Sequence, residues 1–183
     1  MNWPYELGAS VSALQNGFEE VVARFERPLA QFLYRFVFRQ ETAIDLTQET
    51  FVKAFLNLHR YDNTRPFSTW LFSIASNLAK DHLRKHSRAV EVPYSESSGE
   101  QQDLHFRQPD RQVDATELGH AIESAIAALP LTYREPLLLR HTAGLSVEQT
   151  AEVLGTTVAV VKTRLFRARA KLQETLGKEW LPQ

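Results

Sequence analysis

The sequence predicts an all-α protein of two small helical domains joined by a flexible linker. Three observations carry that reading. Apolar residues recur at spacings of three and four in two separate blocks, the period of a helix with one buried face. Between the blocks, Val90–Gln112 reads VEVPYSESSGEQQDLHFRQPDRQ, which is polar, holds Ser, Gly and Pro, and has no sustained period beyond weak strand hints. The chain then closes on two short helices joined by a tight turn, the second of them strongly basic. The expected organisation is an N-terminal extension over 1–17, a first domain over 18–87, a linker over 88–115 and a second domain over 116–178.

The first domain opens on Phe18, Val21, Val22, Phe25, Leu29, Phe32, Leu33 and Phe36, one buried helix face. Pro28 falls inside this run and predicts a kink or break near Arg27. A second helix is expected over about Ala43–Leu58, then a turn-rich loop RYDNTRP ending at Pro66, then a third helix from Phe67 or Ser68 to His86. The second domain resumes with Leu118, Ile122, Ile126 and Leu129 on one face. Pro130 ends that helix, and Pro136 is expected in the first turn of the next, which carries Leu137–Leu139.

The last element is the most specific. Leu145–Leu172 reads LSVEQTAEVLGTTVAVVKTRLFRARAKL. Ser146 and Gln149 form a capping box, Gly155 supplies the left-handed residue of a turn, and Thr157 caps the final helix. Val158, Val161, Leu165, Ala168 and Leu172 make its apolar stripe. Lys162, Arg164, Arg167, Arg169 and Lys171 are cations with no acid among them. Thr163, Phe166 and Arg167 fall opposite the stripe. This is the pattern of a helix-turn-helix whose second helix enters the DNA major groove, where an exposed Phe suits a thymine methyl beside phosphates.

Composition limits the alternatives. The chain has 183 residues, 43% of them hydrophobic, which suffices for one medium or two small packed cores. It has no cysteine, which excludes disulfides, zinc fingers and thiol chemistry and suits a reducing cytosol. No apolar run has the length of a membrane span, and the N-terminus MNWPYELGAS lacks the basic start and apolar core of a signal peptide. The net charge of −1 is unusual for a free-standing DNA binder. The basic helix is offset by acids elsewhere, so the chain alone should hold DNA weakly and a partner should supply the missing affinity. His82 and His86 share a helix face at metal-site spacing, but Lys80, Arg84 and Lys85 surround them and repel a cation. There is no Gly-rich phosphate loop and no nucleophile–base pair, so neither an enzyme nor a cofactor or metal site is expected.

Two further patches complete the set. The third helix, RPFSTWLFSIASNLAKDHLRKH, sets Phe67, Trp70 and Phe72 beside Asn77, Lys80 and Arg84. Rings that stack on bases, with cations that track a backbone, are what single-stranded nucleic acid requires. On the second helix, DLTQETFVKAF places Asp45 and Glu49 on one face with Gln48 beside them. Leu46, Phe51 and Phe55 supply apolar contact, a combination suited to docking on a basic partner. An ordinary helix-turn-helix regulator that binds duplex DNA as a dimer is the alternative. It leaves both of these patches without a role.

Taken together, the patches resemble the extracytoplasmic-function sigma factors of bacterial RNA polymerase, over about Phe18–Leu176. DLTQETFVKAF looks like the family's region 2.2. By that likeness Asp45, Leu46, Gln48, Glu49 and Phe51 would bind the β′ clamp helices of core polymerase. The third helix and its loop are similar to regions 2.3 and 2.4. Tyr61, Asp62, Asn63, Arg65, Phe67, Trp70, Asn77, Lys80 and Arg84 would then bind and melt the −10 element, with a non-template base flipped beside Tyr61 and Trp70 at the melting point. Ala128–Leu172 looks like region 4, which meets the β flap. Thr157, Lys162, Thr163, Arg164, Phe166 and Arg167 would read the −35 element in duplex DNA. The family turn usually carries Pro and Gly before the recognition helix; here TVAVVK puts Thr157 and Ala159 there. The resemblance further implies a cytoplasmic protein without membrane contact of its own, and an anti-sigma partner that clamps both domains.

Overall fold

The computed structural model describes residues 17–89 and 117–177. Seven α-helices occur among them: α1 (Phe18–Val37), α2 (Gln40–Leu56), α3 (Phe67–Ala89), α4 (Glu117–Ala128), α5 (Leu131–His141), α6 (Val147–Val153) and α7 (Val158–Leu176), with a 3-10 turn at Leu58–Arg60. There is no strand among the described residues, and the all-α expectation holds. Nearly all of the expected N-terminal extension and linker lies outside those residues.

α1, α2 and α3 pack into one unit. Val21, Phe25, Leu29, Phe32, Leu33 and Phe36 of α1 are buried. The Phe32 ring meets Phe72 of α3 edge-on at 5.3 Å, and Phe25 meets Phe67 at 5.9 Å. Such pairs add about 0.5–1.5 kcal/mol to the area each ring removes from water. Of the kink or break expected near Arg27, the break does not occur: α1 runs through Pro28. The proline gives up one backbone hydrogen bond. Phe25 and Leu29, both buried, flank it and hold the two halves of the helix to the same core.

α1 ends at Phe38, whose φ of 53° is left-handed. Its N–H donates to Tyr34 O at 2.6 Å. A non-glycine residue pays for that conformation with strain. The Arg134 guanidinium, 5.4 Å from the Phe38 ring centroid, offsets part of it.

α4–α7 form the second unit, in which α7 packs on α4, α5 and α6. α5 begins one turn earlier than the sequence suggested. Pro130 is its N-cap and its carbonyl accepts from Tyr133 and Arg134, so Pro136 is an interior residue and not a first-turn one. The units also pack on each other: α1 meets α4 and α5, and α3 meets α6, within one continuous buried cluster. Arg134 NH1 donates across this junction to Phe36 O at 3.1 Å, while its NH2 donates to Ala127 O and Leu129 O.

Two histidines give the fold a pH dependence. Burial, then Arg169 and Arg140, hold His141 below the usual imidazole value; burial, then His86, Arg39 and Lys85, do the same to His82. A depressed imidazole means that the unfolded chain binds more protons than the native one as pH falls through 6.5, the unperturbed value. Stability is therefore complete above that pH and declines below it. The melting temperature should fall between about pH 7.5 and about pH 5.5, and fall less in a His82→Gln/His141→Gln variant. Equal falls in the two proteins would assign the acid sensitivity to other groups.

Candidate nucleic-acid interface

The helix-turn-helix is built by local chemistry. Gln149 N–H donates to Ser146 Oγ at 3.1 Å, and Ser146 N–H donates to the Gln149 side chain at 2.6 Å, closing the capping box at the start of α6. At its end Gly155 takes φ 59°, Thr156 N–H reaches back to Ala151 O at 3.0 Å, and Gly155 N–H reaches Glu152 O at 3.1 Å. These paired bonds satisfy the last carbonyls of α6 and turn the chain sharply. Thr157 Oγ1 then accepts from Val160 N–H and starts α7.

Val161, Leu165, Ala168 and Leu172 seat α7 in the core, with Val158 half-buried. That fixes the opposite face. Lys162, Thr163, Phe166 and Arg167 are exposed, Arg164 half so. Phe166 is 73% exposed, a ring of this size held in water by the geometry of its helix. None of the five α7 cations forms an ion pair among the described residues. Thr157 lies at the N-terminal end of the same face as a cap.

The loop before α3 is self-held. Asp62 accepts from Thr64 N–H at 3.0 Å and Thr64 Oγ1 at 2.7 Å; these bonds, more than the nearby Arg65, keep its carboxyl below the usual carboxylate range. Tyr61 donates to Arg65 O at 2.6 Å. Its ring lies 5.3 Å from Phe67 and 5.4 Å from Trp70. Here two expectations are corrected. Phe67 is 1% exposed and Tyr61 6%. Both rings belong to the core and cannot stack on a base in this conformation, because the loop closes over them. They form the floor under Trp70, which is half-buried and open on one side. Asn63, Asn77 and Arg84 are exposed, and Arg84 pairs with Asp81 at 3.2 Å. Arg65 and Lys80 are occupied by acids of the second unit: Arg65 by Glu152 at 2.6 Å and Lys80 by Glu135 at 3.1 Å.

On α2, Asp45, Gln48 and Glu49 are exposed on one face, and Glu49 pairs with Lys53 at 2.9 Å. Leu46 and Phe51, expected among the docking residues, are buried in the unit's core and are corrected to supporting positions. The apolar part of the face comes from Phe55, which the sequence pointed to, and from Val52 and Leu56, which it did not. Val52 is 56%, Leu56 66% and Phe55 46% exposed, the last under the edge of Phe18. The signal was present: 45, 48, 49, 52 and 56 follow a single helical stripe. His82 and His86 stack at 4.1 Å without a third ligand, and no group of three or more potential metal ligands occurs among the described residues.

The sequence matches two family models, Sigma-70 region 2 over residues 21–89 and Sigma-70 region 4 over residues 119–172. It is 32% identical over 169 residues to the ECF RNA polymerase sigma factor SigW of Bacillus subtilis, covering 88% of this chain and 90% of that protein. It is 31% identical to the RNA polymerase sigma-H factor of Pseudomonas aeruginosa, over 88% of this chain and 87% of that one. The fold is similar to that of the sigma factor RpoE, solved with the anti-sigma factor NepR from Bartonella quintana (TM-score 0.72, 24% identity, covering 90% of this chain and 99% of that one). It is also similar to CnrH, solved with the cytosolic domain of CnrY (TM-score 0.67, 30% identity, 92% and 93% covered).

Proposed function

Because the chain belongs to the extracytoplasmic-function sigma factors, which direct RNA polymerase to promoters and start transcription there, we propose that its three exposed faces divide that work. The α2 face, with Asp45, Gln48, Glu49, Val52 and Leu56, docks on the β′ clamp helices. The second unit rests on the β flap and presents α7 to the −35 duplex through Lys162, Thr163, Arg164, Phe166 and Arg167, with Thr157 at its start. The α3 face takes the non-template strand of the −10 element: Trp70 stands at the edge of the opened duplex, and Asn63, Arg65, Asn77, Lys80 and Arg84 line the strand. Tyr61, Asp62 and Phe67 shape the loop that would receive a flipped base.

The observation that carries this reading is α7: a buried apolar stripe fixes an opposite face of exposed Phe166 among cations that form no ion pair among the described residues. Melting then needs no nucleotide hydrolysis. Unpairing costs on the order of 1.4 kcal/mol per step, and each captured base returns about 1–3 kcal/mol by stacking. The chain supplies no catalytic group; bond formation belongs to the polymerase.

Both solved relatives are complexes with a second protein that the name of one describes as an anti-sigma factor. An anti-sigma partner fits this chain too, since Val52, Leu56, Val160 and Phe166 are large apolar side chains left in water. No helix among the described residues is long and apolar enough to cross a membrane, and a polymerase subunit would act in the cytoplasm.

Purified core polymerase, this chain and a pool of bacterial promoter fragments should yield RNA whose 5′ ends share a two-part upstream motif. Saturable duplex binding by the chain alone, with no transcription and no association with core, would reverse the assignment.

A further inference from the structure

We propose that an open cleft between α5 and α7 seats the sugar–phosphate backbone of duplex DNA, and that Tyr133, outside the helix-turn-helix, is a positioning residue that sets how α7 lies in the groove. The proposal rests on the assignment of α7 to the −35 duplex given above and adds a second point of attachment to it.

The cleft lies between the first turn of α5 and the N-terminal half of α7 and has a volume of about 320 Å³. Tyr133 stands on the α5 side; Ala159, Val160, Thr163, Arg164 and Arg167 stand on the α7 side. Local backbone chemistry fixes both walls. Pro130 caps α5 and accepts from Tyr133 N–H at 2.9 Å, which holds Tyr133 in the first turn. Thr157 caps α7, so Ala159 and Val160 fall in its first turn, with Arg164 one turn and Arg167 two turns beyond Val160. Val161 and Leu165 are buried on the inner side of α7 and hold its outer side toward the cleft.

The lining selects the ligand. A half-buried phenol ring and the small apolar side chains of Ala159 and Val160 face one another, Val160 37% exposed, and two guanidinium groups flank them. No acid is among the lining residues, and Arg164 and Arg167 form no ion pair among the described residues. Apolar walls between two cations fit a deoxyribose, which is mostly carbon and lies between two phosphates. A side chain of a partner protein would fill the apolar part but leave both cations unmatched. The cleft also continues the reading face, since Thr163, Arg164 and Arg167 belong to both. A helix held only by its own side chains is free to roll in the major groove; a backbone contact from a second helix removes that freedom. Ala159 stands where the family's turn carries Gly, and its methyl adds to the apolar wall.

The test uses the full chain with core polymerase and a fluorescein-labelled duplex carrying the two-part motif returned by the transcription experiment above. Tyr133→Ala should weaken binding by about tenfold, by the same factor on duplexes altered at single positions of the upstream element, and with the salt dependence unchanged because no charge is lost. Tyr133→Phe, which keeps the ring, should recover most of that loss. Arg164→Ala should weaken binding as evenly but reduce the salt slope by about one. Methylphosphonate linkages, each removing one backbone charge, should locate the seat: one that weakens binding of the parent chain should have no further effect on Arg164→Ala. Should Tyr133→Ala lose its cooperative melting transition by circular dichroism, Val160→Asp gives the answer at a site where an acid suits the start of a helix. It sets an anion in the cleft and should weaken binding by at least about tenfold. Lys162→Ala with Phe166→Ala, neither of which lines the cleft, reports on α7 itself. Promoter binding that survives this pair overturns the α7 assignment and the seat with it. Binding that the pair impairs, but that Tyr133→Ala and Val160→Asp leave unchanged, overturns the seat alone. A loss in Tyr133→Ala confined to one base position also overturns it, as does weaker association with core polymerase, which would place a protein in the cleft.

Discussion

Val52→Glu is expected to weaken association with core polymerase by about 30-fold or more, with a matching loss of promoter-directed transcription, and to leave the fold intact. Val52 is 56% exposed near the C-terminal end of α2, on the stripe that also carries Asp45, Gln48, Glu49 and Leu56. A face of this kind docks by excluding water from its apolar centre while its charged rim sets orientation. A carboxylate at that centre must be desolvated with no partner, or hold the surfaces apart. Nothing comparable opposes it in the free chain: Glu is a better helix former than Val, and an exposed substitution of this type shifts stability by no more than about 0.5 kcal/mol. Phe51→Ala is the instructive contrast. Phe51 is buried against Phe18, and its truncation should cost about 3–5 kcal/mol of folding free energy. Both variants lose transcription, but only Phe51→Ala should lose its cooperative melting transition. A Val52→Glu protein that binds core normally would move the docking surface off α2.

The two variants also show what the sequence could reveal and what it could not. Period alone located the helices, since burying one face is enough to make apolar residues recur at three and four. Ser146, Gly155 and Thr157 announced the helix-turn-helix because capping is chemistry between near neighbours in the chain. Motif likeness then pointed to DLTQETFVKAF, but likeness does not distinguish a residue that touches a partner from one that holds its neighbours in place. Leu46, Phe51, Tyr61 and Phe67 are buried, while Val52 and Leu56 point outward. Pro136 misled for a physical reason, and Pro28 did not break its helix for the same one. Pro28 and Pro136 each give up one hydrogen bond, which local rules weigh heavily, but each sits in a helix held by buried neighbours whose packing outweighs that loss. The contacts between the units were not legible at all. Arg65 with Glu152 and Lys80 with Glu135 are separated by more than fifty residues, and no local pattern encodes such a pairing.

The other large effect is expected on α7. Phe166→Ala with Arg167→Ala should lower transcription from the chain's own promoters by about 100-fold, since each lost contact to a base edge is worth about 1–3 kcal/mol. Binding to core should not change, because neither residue lies on the α2 face. Stability should not change either: both side chains are exposed, whereas their neighbour Leu165 is buried and its truncation to Ala should cost about 2–5 kcal/mol. The single variants separate two roles that one face can combine. If Phe166 packs on a thymine methyl, its loss should relax preference at one position of the upstream element and leave the salt dependence as it was. Lys162→Ala, if that ammonium meets a phosphate, should weaken binding evenly across sequences and reduce the salt slope by about one. Start sites and promoter strengths that survive the double substitution would mean that α7 does not read DNA, and that the cations opposite its buried stripe serve only to keep that face in water.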